Sequence, residues 1–374
     1  MPQVKPEFET AARLKVVGVG GSGGNTVDHM IRSKVRGVDF ISINTDAQDL
    51  HNSLSVKKLH IGKNVTRGLG AGMNPDLGRL AADESKREIE EMVRGADLVF
   101  VTCGFGGGTG TGGGPIVAEV AKAQGALTIA VVTKPFSFEG EVRKRIADDG
   151  LVRLRKSVDA MIVIPNDRIL NIVERDTPFL SAFAMCDEVL RQAVEGVADM
   201  IITPGIVNVD FADVRAVLTN SGSAIIGIGI GSGKNRAQEA ARLAVHSPLL
   251  EVSADGARGV LFTVSGKDDL SMWEVQEAAK MVTENVDKEA KIIFGAVKDE
   301  RLRRGEIKIT VIAAGFQGGL GRTSSLFQQE PSYGTPAQVS GSSKEEQGEE
   351  AAPKEMEQSE WDSIPAFLRR SKKI

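Results

Sequence analysis

The chain has 374 residues, which is too long for one hydrophobic core of ordinary size, so we expect two domains with extensions. Its 46 basic and 50 acidic residues leave a net charge of −4, which argues against a general nucleic-acid-binding protein. No apolar run approaches the roughly 20 residues of a membrane-spanning helix, and residues 1–13 lack the apolar core of a secretory signal. The two cysteines, Cys103 and Cys186, stand apart from any Cys or His cluster, which favours a reducing cytoplasm and argues against disulfides and zinc sites.

A short glycine run follows the first strand-like segment. Residues 14–17 are apolar enough for a buried strand, and a helix-compatible stretch continues through Met30. The glycines Gly18, Gly20 and Gly23 match the G-x-G-x-x-G pattern of dinucleotide-binding proteins. Asp46 lies near the distance from this pattern at which such proteins have an acid that binds the ribose. Taken alone, this segment is compatible with a nicotinamide-dependent dehydrogenase.

A longer glycine run at residues 104–115 indicates a phosphate-binding loop. It lies directly between a strand-like segment at 98–101 and a helix-compatible stretch at 116–124. Glycine has no Cβ, so such a loop can turn its peptide N–H groups toward an anion, and the following helix adds its positive dipole end. A flexible linker is the alternative, but linkers are not flanked in this way. A dehydrogenase would leave this second loop without a task.

Residues 227–235 resemble a Walker A phosphate loop but lack two of its features. Ile228 stands where the motif has its first glycine, and Asn235 follows Lys234 where the motif has Ser or Thr. We therefore predict an ordinary strand and turn here.

The first half of the chain alternates short β-branched runs with amphipathic stretches, which predicts a doubly wound parallel sheet with its ligand at the carboxyl ends of the strands. A long helix is predicted over 177–203, and a second, α+β domain after it. The candidate strands are 16–17, 40–43, 98–102, 127–132 and 161–164 in the first domain and 225–228, 260–264, 291–294 and 307–312 in the second, where helices are expected at 237–245 and 272–286.

The last 58 residues have a different composition. Residues 317–360 are rich in Gly, Ser, Gln, Pro and charged residues, and we expect them to be disordered. Ile364, Phe367 and Leu368 then follow at i, i+3 and i+4 spacing ahead of a basic run. This pattern predicts a peptide that docks in a partner's groove, on a tether that reaches roughly 35–40 Å. A frayed tail is the alternative, but it would leave Trp361 and Phe367 exposed to no purpose.

The segment Gly-Gly-Gly-Thr-Gly-Thr-Gly at 106–112 resembles the signature loop of the tubulin and FtsZ superfamily of GTPases. Further similar segments are 44–48, 68–72, 134–140, 164–167 and 208–213, so the resemblance extends over residues 14–314. Gly113 and Gly114 depart from it, because small alanines are common there. The resemblance implies a tubulin-like α/β fold with the following divisions: an extension (1–13), a Rossmann-type GTP-binding domain (14–176), a central helix (177–203), a catalytic loop and connection (204–223), a smaller α+β domain (224–316), a disordered linker (317–360) and a docking peptide (361–374).

The same resemblance implies GTP hydrolysis, with Mg²⁺, coupled to polymerisation. A carboxylate suits guanine because it can accept hydrogen bonds from both N1–H and the 2-amino group. Carried over position by position, the implied roles are the phosphate cradle (Gly21, Ser22, Gly23, Gly24 and Asn25 with Gly108, Thr109 and Gly110), the γ-phosphate (Ala71 and Gly72), the ribose (Glu139 and Arg143), the guanine edge (Asn166 and Asp187) and the guanine face (Phe183). Without the resemblance, Glu139 and Arg143 could equally form an ordinary surface ion pair. No residue is assigned as a metal ligand.

Three polar residues after the long helix are the implied catalytic group: Asn208, Asp210 and Asp213. Carboxylates can orient a water or hold a cation beside a γ-phosphate, although two Asp in a loop are usually turn and cap residues. If Asp187 touches the base, a helix to residue 203 carries the chain roughly 24 Å away. These acids would then reach the nucleotide of the next subunit, and such head-to-tail contacts build a filament.

We therefore expect a filament-forming GTPase of bacterial cytokinesis, located in the cytoplasm at the mid-cell ring. The resemblance implies that it binds copies of itself and, through residues 361–373, membrane tethers of the FtsA type and other regulators. Neither direct membrane insertion nor nucleic-acid binding is expected. A tubulin-like protein for plasmid movement or cell shape is the second hypothesis, and the dehydrogenase is the third.

Overall fold

The computed structural model describes residues 12–170, 173, 176–203, 205–246, 256–284 and 286–316. Most of the expected N-terminal extension, all of the predicted linker at 317–360 and the docking peptide at 361–374 lie outside the described residues.

The strands form one ten-stranded sheet in the order β3-β2-β1-β4-β5-β6-β7-β10-β8-β9. The strands are β1 (Leu14–Val19), β2 (Val38–Asn44), β3 (Lys57–His60), β4 (Leu98–Gly104), β5 (Leu127–Lys134), β6 (Ala160–Pro165), β7 (Gly222–Ser232), β8 (Gly259–Gly266), β9 (Lys291–Lys298) and β10 (Glu306–Ala314). The first six are parallel, whereas β10 runs antiparallel to both β7 and β8. Only Ala160 and Met161 of β6 pair with β7, so the two halves of the sheet join over a short stretch.

Helices cover both faces of the parallel half, and further helices pack against β7, β8 and β10 in the second half of the sheet. The helices are α1 (Gly20–Arg32), α2 (Ala47–Asn52), α3 (Pro75–Glu84), α4 (Lys86–Val93), α5 (Thr109–Ala123), α6 (Glu141–Ser157), α7 (Asp167–Leu170), α8 (Phe179–Ile202), α9 (Phe211–Leu218), α10 (Arg236–Val245) and α11 (Met272–Thr283). Within the described part of the chain, no helix combines the length and apolarity that crossing a membrane requires.

Burial on both faces explains the continuous apolar runs of the central strands. Val16 of β1 packs into the core beneath α8, whereas its neighbour Val17 packs into the core beneath α5 and α6. Successive strand residues point to opposite faces, so a strand covered on both sides needs apolar residues at every position. Leu190 and Val194 of α8 share their core with Ile312 of β10, which ties the central helix to the second half of the sheet.

Gly227, Gly229 and Gly231 of the Walker-like segment lie in β7, and a bend and turn follow at 233–235, which confirms the prediction of a strand and a turn there. A Cβ added at Gly227, Gly229 or Gly231 would come within about 2 Å of a backbone carbonyl oxygen of α10. These glycines therefore let the helix lie directly on the strand.

The expected start of the helix after the long glycine run was wrong. The helix was predicted from residue 116, but α5 begins at Thr109 and takes in Gly110 to Pro115. A Cβ at Gly112 would lie 2.0 Å from the Pro75 carbonyl oxygen and 2.6 Å from the Arg79 amide nitrogen. Close packing of α3 against this turn thus outweighs the low helix propensity of glycine.

Other element boundaries shift by a few residues. The central helix begins at Phe179 rather than 177, and α11 ends at Thr283 rather than 286. Strand β9 continues to Lys298, four residues beyond its predicted end, because it pairs along its whole length with β8.

Candidate nucleotide-binding site

A cleft of about 310 Å³ lies at the carboxyl ends of the parallel strands, where ligands bind in open α/β sheets. Both glycine loops open into it, as do the segments that follow β5 and β6. Its lining consists of Val19, Gly20, Gly21, Ser22, Gly104, Phe105, Gly107, Thr109, Gly110, Thr133, Pro135, Glu139, Arg143, Asn166 and Phe183.

The amino ends of α1 and α5 meet at the floor of this cleft. A Cβ at Gly20 would lie 3.1 Å from the Gly110 amide nitrogen, so the two backbones are in contact there. Neither helix has a side-chain cap or an acidic residue in its first turn. Two positive dipole ends without a neutralising carboxylate make this end of the cleft suited to phosphate.

A third loop closes on the same cradle. A Cβ at Gly108 would lie 2.4 Å from the Gly72 carbonyl oxygen and 2.7 Å from that of Ala71. The structure therefore brings Ala71 and Gly72 against the long glycine loop. Only glycine fits at Gly108, since a side chain would displace this loop.

The two threonines of the long glycine run differ in environment. The Thr109 hydroxyl faces the cleft and lies 2.6 Å from the Thr45 hydroxyl. Thr111 is buried, and its hydroxyl oxygen accepts a hydrogen bond of 2.9 Å from the Gly106 amide. Thr109 is thus available to a ligand, whereas Thr111 holds the shape of the loop.

The residues of the first glycine loop lie partly in the cleft and partly beside it. Gly21 and Ser22 line the cleft, while Gly23 packs on β4, where a Cβ would come 2.5 Å from the Thr102 carbonyl oxygen. Gly24 and Asn25 border a small polar depression next to the cleft. The structure therefore places the five predicted residues around the cradle but not all in its lining.

Glu139 and Arg143 form an ion pair at the mouth of the cleft, with 2.6 Å between the Arg143 Nη1 and Glu139 Oε2 atoms. The other Glu139 oxygen accepts a hydrogen bond of 2.9 Å from the Phe136 amide. Because the carboxylate is held from both sides and both residues line the cleft, a sugar hydroxyl could contact it without further ordering.

The far end of the cleft can accommodate a planar base. Phe183 of α8 is 38% exposed and packs edge-on against Phe136, with 5.3 Å between ring centroids. Asn166 is 8% exposed, and its Oδ1 atom is buried without a hydrogen-bond partner in the described structure. Such an orphaned acceptor requires a donor, and a ligand N–H can supply it.

Asp187 lies one helical turn after Phe183, on the same side of α8. Its Oδ1 atom accepts a hydrogen bond of 2.7 Å from the Thr26 hydroxyl of α1. Burial raises the pKa of the Asp187 carboxyl above its ordinary value, and the Thr26 bond opposes that rise. Asp187 itself is outside the set of residues that lines the cleft.

The three implied catalytic residues do not reach the cleft of their own chain. None of Asn208, Asp210 and Asp213 lines it. Asp210 caps the amino end of α9 through the Ala212 amide, and the Asn208 Oδ1 atom accepts a hydrogen bond of 2.6 Å from the Gly205 amide. At ~1.5 Å per residue, α8 extends roughly 22 Å from Asp187 to its end.

Sequence reasoning missed Thr26 and Thr45, which hold Asp187 and Thr109 respectively. Thr26 is one helical turn beyond Ser22 and so faces the same side of α1, a periodicity that could have indicated it. Thr45 lies in the family-like segment 44–48, but no local pattern relates it to its partner Thr109, which comes 64 residues later in the chain.

A parallel sheet with two facing helix amino ends, a glycine cradle and an adjoining base-sized recess defines a nucleotide-binding protein of the α/β class. Two family models match the chain: "Tubulin/FtsZ family, GTPase domain" over residues 13–174 and "FtsZ family, C-terminal domain" over residues 222–317. The chain belongs to the FtsZ family of tubulin-like GTPases. The predicted tubulin-like α/β fold is confirmed, and the dehydrogenase hypothesis is excluded.

Solved structures agree with this membership. The chain is 47% identical to an FtsZ dimer from M. jannaschii with a TM-score of 0.77, over 82% of this chain and 89% of that one. A tryptophan-to-tyrosine mutant of FtsZ from M. jannaschii is also 47% identical, with a TM-score of 0.78 over 82% and 92% of the two chains. CetZ2 from Haloferax volcanii, solved as a GTPγS-bound protofilament, is 21% identical with a TM-score of 0.69 over 80% and 92%, and shares the fold.

Proposed function

We propose that this protein polymerises head-to-tail into filaments that form the cytokinetic ring of cell division, and that the acidic loop of one subunit completes GTP hydrolysis on the next. Family membership supports guanine-nucleotide binding and GTPase activity. The observation that carries the finer proposal is the separation, within one chain, of the nucleotide cleft from Asn208, Asp210 and Asp213. We also propose the domain division at 14–176, 177–203, 204–223 and 224–316.

The base end of the cleft favours guanine over adenine. The unpartnered Asn166 Oδ1 atom and the Asp187 carboxylate are both acceptors, and the guanine edge presents N1–H and a 2-amino group. Adenine has no donor at N1, so it would leave a buried acceptor unsatisfied. Phe183 packs on the face of the base, and the ion pair of Glu139 and Arg143 holds the ribose.

The phosphates lie between the amino ends of α1 and α5. Backbone N–H groups at the amino ends of these two helices would face the negative charge, and Ala71 and Gly72, which pack against Gly108, would lie by the terminal phosphate. Mg²⁺ usually keeps several waters and binds through substrate phosphates with few protein ligands, and its chemistry is to neutralise phosphate charge. The donor set fits that mode: the described residues hold no cluster of three or more metal-ligating side chains, while the Thr45 and Thr109 hydroxyls can order its waters.

Hydrolysis needs a group that orients water against the γ-phosphate, and the glycine cradle itself supplies no such side chain. Asp210 and Asp213 are exposed at the amino end of α9, and Asn208 lies in the loop before it. In a head-to-tail contact these carboxylates would face the neighbour's cleft and orient its attacking water.

Exposed apolar side chains lie near both the cleft and the acidic loop, and they provide two candidate contact surfaces. Around the cleft, Leu69 is 84% exposed and Leu180 is 81% exposed. By the acidic loop, Ile206 is 74% exposed, and the loop lies along β9, where Val207 pairs with Ala296. Two different apolar surfaces on one subunit suit a heterologous contact, in which one surface binds the other surface of the next subunit. Such contacts build a filament when the rotation between successive subunits does not close into a ring.

The membrane connection is proposed from sequence alone. Residues 361–373 would bind division proteins such as FtsA-type tethers, and the linker at 317–360 would let them do so at a distance from the filament.

A subunit-mixing experiment tests the shared site. The first variant, Asp213→Ala, keeps an intact cleft but lacks one carboxylate of the acidic loop. The second variant, Gly108→Val, keeps an intact acidic loop, but its cradle is disrupted because the new side chain would collide with Ala71 and Gly72. Neither variant alone should hydrolyse GTP at the wild-type rate. Mixed in equal amounts, random copolymers would place an intact loop on an intact cleft at roughly a quarter of the contacts.

Recovered turnover in the mixture, absent from either variant, supports the proposal. Wild-type turnover by Asp213→Ala alone, with assembly intact, overturns it. Thr283→Val, far from both sites on α11, serves as the control that should leave assembly and turnover unchanged.

A further inference from the structure

The hydroxyl of Thr26 joins the two helices on which the nucleotide site depends. Thr26 is completely buried in α1, the helix that carries the first glycine loop. Its Oγ1 atom lies 2.7 Å from the Oδ1 atom of Asp187 on α8. A second contact one residue further along α8 joins the His29 Nε2 and Glu188 Oε2 atoms at 3.1 Å.

The Thr26 proton has two acceptors within reach. Its Oγ1 atom also lies 3.0 Å from the Ser22 carbonyl oxygen, which is the usual i−4 contact of a threonine in a helix. A hydroxyl has one proton, so it can serve only one acceptor at full strength. The carboxylate is closer and charged, so the proton goes to Asp187 while that group is ionised.

We propose that Thr26 is a positioning residue for guanine recognition, holding the Asp187 carboxylate in the plane and charge state that the base requires. This inference rests on the proposed role of Asp187. Guanine offers two parallel donors, so both carboxylate oxygens must lie in the plane of the base. A bond from a buried helix to one oxygen fixes the rotation of that group before the nucleotide arrives.

Protonation would reverse the bond. A neutral Asp187 carboxyl can donate to Thr26, whose own proton then returns to the Ser22 carbonyl oxygen. In that state the single carboxyl proton is used in the bond to Thr26, and only the uncharged carbonyl oxygen of Asp187 is left to accept from the two guanine donors, so recognition would weaken. The charged or titratable groups that act on Asp187 are His29 and Arg32 from α1. On α8 it is flanked by Cys186, whose pKa it helps to raise, and by Glu188, which contacts His29.

The test compares mant-labelled GTP and ITP, because inosine lacks the 2-amino group. Thr26→Val keeps the shape of the side chain but removes its proton, so we expect GTP affinity to fall about tenfold and ITP affinity to fall less. In Thr26→Val, the pH below which GTP binding weakens should also be higher than in the wild type, since Asp187 has lost the donor that stabilises its charged form. Thr26→Ser should restore both properties.

Thr283→Val is the matched control. Thr283 makes the same i−4 contact, to the Ala279 carbonyl oxygen at 2.9 Å, but lies on α11 in the second half of the molecule. It should bind both nucleotides as the wild type does. If Thr26→Val does not fold, as judged from its thermal midpoint, Thr26→Cys keeps the size of the side chain with a weaker donor and takes its place.

Asp187→Asn separates failure of this inference from failure of the proposed function. If Asp187→Asn leaves the preference for GTP over ITP intact, Asp187 does not recognise guanine and both ideas fall. If it abolishes the preference while Thr26→Val behaves like Thr283→Val, only the role of Thr26 is overturned. The double variant should bind no more weakly than Asp187→Asn alone, because Thr26 acts through that carboxylate.

Discussion

Asp187 shows how a single residue couples burial to function. Burial raises the pKa of its carboxyl, yet recognition of guanine requires the ionised form. The Thr26 hydroxyl moderates that conflict by donating a hydrogen bond to the charged state. The sequence motifs could identify Asp187 but not its partner, because the two residues are 161 positions apart and no local pattern relates them.

The raised pKa of Asp187 predicts that GTP binding weakens in mild acid. As pH falls through the raised value, the carboxylate is protonated and loses an acceptor, so affinity should begin to decline at a pH above the ordinary Asp value of 3.8. Calorimetric titration of GTP across this range, compared with Asp187→Asn, isolates the effect because the nucleotide's own titration is common to both proteins. Parallel pH profiles for the two proteins would contradict the assignment.

At the scale of elements, the long glycine run does two jobs. Gly108 and Gly110 let backbone approach the phosphate cradle, whereas Gly112 lets α3 pack on α5. The sequence correctly indicated the loop, because its strand and helix flanks are local signals. It could not indicate where α5 begins, because that depends on a helix packed from more than 30 positions earlier in the chain.

Two neighbouring glycines of α5 should respond oppositely to alanine. Gly112→Ala would force a Cβ to 2.0 Å from the Pro75 carbonyl oxygen, so we expect a loss of about 1–3 kcal/mol in the free energy of unfolding. It should also weaken GTP binding, because α3 follows the loop of Ala71 and Gly72. A Cβ at Gly113 would lie 3.5 Å from Val19 Cγ1 and 3.6 Å from both Ala82 Cβ and the Gly78 carbonyl oxygen, which are ordinary van der Waals contacts. Gly113→Ala should therefore stabilise the helix by up to about 1 kcal/mol.

Thermal unfolding midpoints and GTP affinities of the two variants check this pair. Equal midpoints would show that the close approach of α3 does not constrain α5.

At the scale of the whole molecule, the alternation of strands and helices in the sequence predicted the class of fold. It did not predict that the two halves form one continuous sheet. Two residue pairs between β6 and β7 join the halves, and pairing between distant strands has no local signature. The implied catalytic loop shows a similar limit. Asp210 is both a helix cap and a candidate catalytic residue, and one chain alone does not distinguish these roles.

An ion-pair cluster joins the central helix to the second half of the sheet. Arg301 contacts Glu195 at 2.6 Å and Asp199 at 2.7 Å, both on α8, and Asp299 at 2.9 Å beside β9. Removing the guanidinium would leave the negative charges of these three neighbouring carboxylates with much less positive charge to balance them. Because Arg301 is more than half exposed, the expected cost is modest.

Arg301→Met should therefore lower the free energy of unfolding by about 1–2 kcal/mol at neutral pH. Burial raises the pKa of the Asp299 carboxyl, but hydrogen bonds from Arg301 outweigh it and hold that pKa below its ordinary 3.8. The contribution of Asp299 is thus complete above that ordinary value and is lost as pH falls through the lowered one, whereas burial raises the pKa of Asp199, which opposes this trend. Thermal unfolding midpoints recorded as a function of pH measure this loss of stability. Lys298→Met is the control, because its two ion pairs are exposed and their removal should change the midpoint little. An equal drop of the midpoint in both variants would contradict the role of the cluster.

The most direct test of the whole account is GTP hydrolysis per subunit as a function of protein concentration, with Mg²⁺ present and light scattering recorded alongside. A site shared between subunits predicts a specific rate near zero at low concentration that rises together with scattering. A constant specific rate without scattering would mean that each subunit hydrolyses GTP alone, and it would contradict catalysis by Asp210 and Asp213 across a subunit contact.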